Sequence, residues 1–289
     1  MVSKRPDLID LIGPEFDRPS AEPARRTLII CSAPRTGSWE LARHLIAAGI
    51  GVPHEYFNPN HARRLAERWV FTEDPLSETG LPRYIEVLRR RRVQGGVLAT
   101  KLQFWQFDNY LRNPTGATLF ENACIVHLFR PDVASQYASL RAANESGMWD
   151  FSPRQTTTPR VRQGEPFEDF FKQALADMNY LLGEDAGFRG LFILLGVRPI
   201  FITTEELSRD PRSLVRRIAE AMTVAVNEDA LERSIASSAR YDREKQRAKA
   251  MADLVDSFKK LPFQRTDSSA GSEGAKRSKV EFKHAIDPH

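Results

Sequence analysis

The chain of 289 residues carries 42 basic and 38 acidic side chains, a formal net charge of +4, and 41% of its residues are hydrophobic. That length suggests one large domain or two modest ones, and the apolar content excludes a chain that is disordered throughout. With only two cysteines, Cys31 and Cys124, the chain cannot form a disulfide framework. It shows neither an apolar run of about 18 residues nor a secretory leader. We therefore expect a soluble cytoplasmic protein without a transmembrane segment.

The two ends of the chain differ from its middle in composition. Residues 1–26 are rich in proline and charge and predict an N-terminal arm, whereas residues 265–289 are dominated by Ser, Gly and Lys and predict a disordered basic tail. Residues 27–264 then form the body. Residues 240–289 hold 12 basic and 8 acidic groups, so the whole positive excess lies there. No nucleic-acid partner is therefore expected.

The first element of the body is a strand that leads through a loop into a helix. Residues 27–32, TLIICS, are apolar and rich in β-branched side chains, as a buried parallel strand requires. The loop APRTGS follows, and WELARHLIAAG then repeats apolar residues at helical spacing, with Gly49 at its end. This order predicts the opening of an α/β unit.

Later segments continue the alternation of strands and helices. Strands are predicted at residues 97–100, 125–129 and 199–203, and helices at 167–182, 211–222 and 242–258. The run LFILL at 191–195 is ambiguous, and its periodicity alone favours a strand. The alternation predicts an α/β fold with a parallel sheet.

The loop after the first strand is the strongest local indication of a binding site. A turn at the end of a strand that opens a helix presents free backbone N–H groups and a partial positive charge, which suit phosphate or sulfate. Arg35 adds a cation, Gly37 permits close backbone approach and Ser38 adds a hydroxyl. No Lys follows the Gly, so the nucleoside-triphosphatase pattern is absent. The alternative reading is an ordinary strand–helix turn.

A second anion site is suggested where the third predicted strand ends. Arg130 closes that strand, and Ser135 lies in the first turns of the next helix. Parallel strands end at one edge of a sheet, so this pair is expected beside the first loop. The alternative is an arginine that is solvated or forms a salt bridge.

Three segments taken together resemble a known family. They are ICSAPRTGSWELARHLIAAGIGVPHEYFNP, VLATKLQFWQ and VHLFRPDVASQYASLRAA, and they are similar, in this order, to the trehalose 2-sulfotransferases, a bacterial branch of the sulfotransferases that use 3′-phosphoadenylyl sulfate (PAPS). The resemblance covers about residues 27–240. It implies a three-layer α/β sandwich with a central parallel sheet and a P-loop-like fold, and it places 191–195 in a helix. It further implies a homodimer and a sugar or glycolipid acceptor. No metal is expected, because the six histidines do not form a cluster with ligand spacing.

The resemblance also implies roles for particular residues. The 5′-phosphosulfate of the donor would be bound by the loop Pro34, Arg35, Thr36, Gly37 and Ser38, and its 3′-phosphate by Arg130 and Ser135. Glu55 matches the position of the family's catalytic base, and Lys101 matches a family lysine.

Sulfuryl transfer is an in-line displacement that depends on alignment and charge stabilisation, and a base that takes the acceptor's proton adds to the rate. We expect Glu55 to be this base, with His54 and His61 as rivals; the alternative is that Glu55 only pairs with Arg63 or Arg64. Lys101 would stabilise charge on the transferring sulfuryl group or contact the acceptor; the alternative is a solvated lysine at the end of the strand.

Two further groups have competing interpretations. Phe104 and Trp105 form either a platform for a sugar ring or, as is more common for aromatic residues at such spacing, part of the core. The four arginines 89–92 are read as a solvated helix end, in preference to a site for an anionic partner.

Two other classes of protein are compatible with the same residues. One is a P-loop-like kinase or nucleotide hydrolase, which the missing Gly-Lys pair disfavours. The other is a non-catalytic binder of nucleotides or anionic polymers, which would bind the desulfated nucleotide without transferring sulfate.

Overall fold

A five-stranded sheet forms the centre of the protein, in a computed structural model that describes residues 11–19, 22–146 and 167–239. Its order is β2-β3-β1-β4-β5, and its strands are β1 Arg26–Cys31, β2 Val93–Gln94, β3 Val97–Leu102, β4 Cys124–Phe129 and β5 Ile200–Thr203. Neighbouring strands run parallel except β2, which pairs with β3 antiparallel. The α/β class is thereby confirmed, while the P-loop-like assignment stays a prediction.

Ten helices surround this sheet in the described ranges, and one of them, α4, continues as a π-helical turn at Phe107–Leu111. They are α1 Ser38–Ala48, α2 Pro59–Arg68, α3 Leu81–Arg91, α4 Phe104–Gln106, α5 Pro114–Ala117, α6 Val133–Ser146, α7 Phe167–Leu195, α8 Thr204–Arg209, α9 Pro211–Met222 and α10 Glu228–Ala239. None of the helices in these ranges is both long and apolar enough to cross a bilayer.

Both faces of the sheet are covered. Successive side chains of a strand point to opposite faces, and each face packs in its own hydrophobic core. Leu28 and Ile30 of β1 pack in one core with apolar residues of α1 and α9. Ile29 and Cys31 pack in the other with residues of α2, α3 and α7. A strand that is apolar on both faces reads as a continuous hydrophobic run, which is why its position was predictable.

Most predicted elements lie where the sequence places them, and α9 has the predicted bounds. The strand reading of residues 191–195 is wrong, because these residues are the last turn and a half of α7, as the family resemblance implies. Ile193 and Leu194 are more than four-fifths exposed, at 81% and 85%, so apolarity here does not mark a buried strand. The helix predicted at 242–258 and the tail at 265–289 lie outside the described residues.

A buried arginine attaches the N-terminal segment 11–19 to the body. The solvated reading is wrong for Arg92, whose side chain has no exposure and whose Nη1 donates to Asp17 at 3.0 Å. Asp17 also accepts hydrogen bonds from Arg68 and from the indole of Trp69, at 2.8 and 3.0 Å. The solvated reading does hold for Arg90, which pairs with Glu86 at the surface. No local pattern separates the two arginines, because the burial of Arg92 depends on residues far away in sequence.

Arg92→Met is expected to lower the free energy of unfolding by about 1–3 kcal/mol for each buried acceptor left without a donor, chiefly the carbonyls of Gly13 and Leu11. Asp17 keeps its pair with Arg68. Arg90→Met is the control and should cost about 0–1 kcal/mol, since its pair is exposed. Urea unfolding followed by circular dichroism measures both. Equal midpoints for the two variants would contradict the structural role given to Arg92.

Candidate active site

The loop between β1 and α1 is tied to the helices that follow β4 and β5. Gln136 of α6 donates to the carbonyl of Pro34 at 2.7 Å, and Thr204 of α8 donates to the carbonyl of Thr36 at the same distance. Arg35 Nε donates to Ser139 of α6 at 3.0 Å. The loop is therefore held by the elements that follow β4 and β5. The ends of β1, β4 and β5 therefore lie close together at one edge of the sheet, as predicted.

The backbone of this loop is shaped to face a ligand. Arg35 and Gly37 have φ angles of 66° and 86°, in the left-handed region that disfavours any residue with a Cβ. Such strain in a non-glycine residue is typical of functional sites. Gly37 is the N-cap of α1 and has no side chain to cap it, so the N–H groups of the first turn, which begins at Ser38, have no side-chain partner from the cap position.

The second predicted anion site lies where β4 ends. Arg130 and Ser135 are each 8% exposed. The backbone N–H of Ser135 donates to Asp132 at 3.0 Å, and this hydrogen bond lies at the start of α6. The next residue, Gln136, makes the contact with Pro34 described above. Arg130 and Ser135 thus follow the strand next to β1, on the same sheet edge as the first loop.

Glu55 lies in the connection between α1 and α2, where His54 forms a bridge to Thr100 of β3. One carboxylate oxygen, Oε1, is 3.3 Å from Lys101 Nζ. The other, Oε2, accepts hydrogen bonds from Gln103 at 3.1 Å and from Gln106 at 3.3 Å. The ion pair of Glu55 is therefore with Lys101, not the pairing with Arg63 or Arg64 considered above. The two oxygens have different environments.

The charge state of Glu55 follows from these contacts. Burial opposes its ionisation, but the attraction of Lys101 and His61 and the hydrogen bonds from Lys101 and Gln106 outweigh it, so the pKa of Glu55 lies below its ordinary value. The carboxylate is consequently ionised at neutral pH and ready to accept a proton.

Lys101 links Glu55 to the first loop. It is the last residue but one of β3 and is only 7% exposed, so it is not a solvated lysine. Its Nζ is 5.8 Å from the ring centroid of Trp39, in the first turn of α1. A cation at this distance over an indole is stabilised by the ring's electrons. Trp39 thus brings the start of α1 beside the Glu55–Lys101 pair.

The two histidines near Glu55 have weakened basicity. Burial, then the repulsion of His61 and Lys101, lowers the pKa of His54 well below its usual value. Burial also lowers the pKa of His61, against the attraction of Glu55. Their rings lie 4.5 Å apart, and His61 Nδ1 is 3.3 Å from the backbone carbonyl of Glu55. The pKa of each histidine therefore lies below its usual value, and Glu55 is the member of this group paired with Lys101.

The aromatic pair after β3 divides between core and surface. Phe104 packs on Phe107 and Phe188, at ring separations of 6.0 and 5.6 Å, and belongs to the core. Trp105 is half-buried and donates its indole N–H to Gln103 at 2.9 Å. The hydroxyl of Tyr180, 40% exposed, donates to the same amide oxygen at 3.1 Å. Two accessible aromatic rings therefore flank the amide that holds Glu55.

Sequence reasoning missed three polar residues of this site. Gln103 and Gln106 contact Glu55, and Glu184 of α7 accepts hydrogen bonds from the backbone of Phe104 and Trp105. The available signal was the pair of glutamines three residues apart in an otherwise apolar and aromatic stretch, KLQFWQF. In the described ranges, no group of three or more His, Cys, Asp or Glu side chains is arranged to hold a metal ion.

This arrangement suits the transfer of an anionic group to a hydroxyl. A strained loop and an uncapped helix start are suited to bind the anion, and a nearby carboxylate is suited to take a proton. A buried lysine between them is suited to stabilise the charge that develops.

Comparison with known families identifies the chain. A family model described as Stf0 sulphotransferase matches residues 27–260. A comparison with curated proteins finds no match. The family match spans the sheet, the first loop, Glu55, Lys101 and α7. The chain therefore belongs to the Stf0 sulphotransferases, the trehalose 2-sulfotransferase family that its sequence resembles.

Proposed function

We propose that this sulfotransferase moves a sulfuryl group from PAPS to a hydroxyl of a carbohydrate or glycolipid, with Glu55 as the base. The observation that supports this most directly is the Glu55–Lys101 pair beside the uncapped start of α1. The proposal uses no metal ion. The homodimer that the family resemblance implies and the cytoplasmic location that the sequence favours stay predictions.

The donor would lie across the ends of β1 and β4. Its 5′-phosphosulfate fits the loop from Pro34 to Ser38, where the helix start and Arg35 favour negative charge. Its 3′-phosphate fits Arg130, because a guanidinium donates two parallel hydrogen bonds to phosphate. Ser135 adds a hydroxyl there. The loop is rigid because three side chains hold it, so little ordering is needed when the donor binds.

The chemical step follows from the environment of Glu55. The acceptor hydroxyl gives its proton to the carboxylate while its oxygen forms a bond to sulfur. The bond between sulfur and the phosphate oxygen breaks, and 3′-phosphoadenosine 5′-phosphate leaves. Lys101, at 3.3 Å from Glu55, stabilises the negative charge on the transferring group and leaving oxygen.

The acceptor would bind on the exposed side of Gln103. Trp105 and Tyr180 are both bonded to Gln103 and remain partly exposed, and sugars pack on aromatic rings while their hydroxyls take hydrogen bonds. This supports a carbohydrate acceptor. The platform proposed here differs from the one predicted from the sequence, which consisted of Phe104 and Trp105. Phe104 packs in the core, and Tyr180 replaces it beside Trp105.

The overall test is transfer of labelled sulfate from PAPS to a panel of free sugars and glycolipids. Transfer to at least one of them is expected. Binding of 3′-phosphoadenosine 5′-phosphate without any transfer would favour the non-catalytic alternative, and magnesium-dependent ATP turnover would favour the kinase.

Glu55→Gln should lower kcat by about 10²–10⁴-fold, because the amide cannot accept the proton of the acceptor. Its affinity for 3′-phosphoadenosine 5′-phosphate should stay the same, as measured by calorimetry. The control is Glu86→Gln, which changes an exposed carboxylate paired with Arg90 and should keep full turnover. Near-normal turnover of Glu55→Gln would remove Glu55 from the base role.

Lys101→Met should lower kcat by about 10²–10³-fold, because a preorganised positive charge is lost. It should also move the acid limb of the pH–kcat/KM profile to higher pH. Lys101 lowers the pKa of Glu55, so its removal raises that pKa and Glu55 becomes protonated at higher pH. Lys172→Met, on the exposed side of α7, is the control. An unshifted acid limb would mean that Glu55 does not set it.

Arg130→Ala should weaken the binding of 3′-phosphoadenosine 5′-phosphate by about 10- to 150-fold, since hydrogen bonds to charged groups contribute about 1.5–3 kcal/mol. It should leave the affinity for adenosine 5′-phosphosulfate unchanged, because that nucleotide lacks the 3′-phosphate. The exposed Arg112 is the control, as Arg112→Ala. Equal losses for both nucleotides would place Arg130 elsewhere than at the 3′-phosphate.

A further inference from the structure

A buried carboxylate on α7 holds the start of α4. Glu184 is 4% exposed. Its Oε2 accepts the backbone N–H of Phe104 at 2.6 Å, and its Oε1 accepts that of Trp105 at 2.9 Å. These are the first two N–H groups of the helical turn, which have no partner within the helix. One side chain from a distant helix thus satisfies both.

The turn that Glu184 holds carries the two amides that hold Glu55. Gln103 precedes the turn and Gln106 ends it, and both donate to Glu55 Oε2. The backbone N–H of Gln103 also donates to Gln106 Oε1 at 3.2 Å, which fixes the two amides to each other. A shift of the turn would therefore move both donors away from Glu55 together.

A second feature of α7 keeps the turn close. Gly187 lies one turn after Glu184, and a Cβ at that position would come within 2.4 Å of the ring of Phe104. Only a glycine allows the helix to approach α4 this closely. Glu184 and Gly187 together set the distance between α7 and the turn.

Keeping Glu184 here costs stability rather than adding to it. Burial and the charge of Glu55 raise its pKa to about 7, against the two backbone hydrogen bonds, which lower it. A carboxyl whose pKa is raised on folding makes the fold less stable as pH rises from its ordinary pKa of 4.5 to about 7. Tyr180, one turn earlier, is a further titratable group nearby, and the charge of Glu184 helps to raise its pKa; the adjacent Asp185 faces His127 and Arg189.

We propose that Glu184 is a positioning residue for Glu55, an inference that rests on the proposed function. Through the backbone of α4, the ionised carboxylate fixes Gln103 and Gln106 on Glu55 Oε2. Oε1 is then left beside Lys101, where the acceptor proton is taken. When Glu184 is protonated, one oxygen becomes a donor that faces backbone N–H groups, and the turn loses a partner.

The consequence is a second ionisation in the pH profile. Turnover should rise as pH increases through about 7, because both Glu55 and Glu184 must then be ionised. This ionisation belongs to Glu184 and is separate from the acid limb that Lys101→Met moves, because the pKa of Glu55 lies below its usual value and its limb therefore falls at lower pH.

The test is Glu184→Gln, which keeps the shape and removes the charge. We expect kcat to fall by about 10²-fold, the cost of a small misplacement of a catalytic group, with the rise near pH 7 abolished. The affinity for 3′-phosphoadenosine 5′-phosphate should not change, and amide hydrogen exchange should become faster in residues 103–107. Asp185→Asn is the matched control on the same helix: it weakens the ion pair with Arg189 and should keep the pH limb.

Gly187→Ala is the second variant, since it moves the turn without touching the carboxylate. It should lower kcat while the rise near pH 7 remains. Two results would overturn the inference. One is that Glu184→Gln keeps the turnover and the pH profile of the wild type, and the other is that it loses donor affinity, kcat and thermal stability to the same extent. A wild-type protein that transfers no sulfate at all would instead overturn the proposed function and this inference with it.

Discussion

The ion pair between Glu55 and Lys101 is the interaction around which the site is built. Both side chains are mostly buried, and a buried pair is stable only where further hydrogen bonds satisfy the remaining polar atoms. Gln103 and Gln106 supply them to the second oxygen of Glu55. The two glutamines must themselves be fixed in position. They lie at the two ends of α4, and α4 is fixed by α7, so both helices become part of the site. The residues farther from the charge pair therefore act by positioning the residues that contact it.

The sheet supplies the other constraint. Because β1, β3, β4 and β5 run parallel, the segments that follow them meet at one edge. Thr204 is hydrogen-bonded to the carbonyls of both Thr36 and Phe129, so one hydroxyl from the segment after β5 joins the ends of β1 and β4. Lys101 lies at the end of β3 on the other side of β1. The proposed donor and base sites are thus neighbours through topology alone.

The parts predicted from sequence are those that local physics determines. Buried parallel strands are apolar on both faces, and α9 is delimited by Pro211 and its cap Asp210, so their positions were predictable. The local strand reading of residues 191–195 failed, because a five-residue apolar run at the end of a long helix has no strand-specific signal. Arg92 and Glu184 were missed for another reason. Their partners are distant in the chain, 80 residues away between Glu184 and Phe104, and no periodicity reports such a contact.

A carboxylate paired with a buried lysine is an unusual surrounding for an anionic donor, and this has a consequence for the proposed reaction. In the free protein Lys101 lowers the pKa of Glu55, which makes it a weak base. A sulfuryl group placed beside Lys101 would share its charge and bring further negative charge close to Glu55. Both effects raise the pKa of Glu55 above its value in the free protein, which makes the carboxylate a stronger base. Proton abstraction would then become efficient only once the donor is bound, and the acceptor hydroxyl would be activated when a sulfuryl group is in place to receive it.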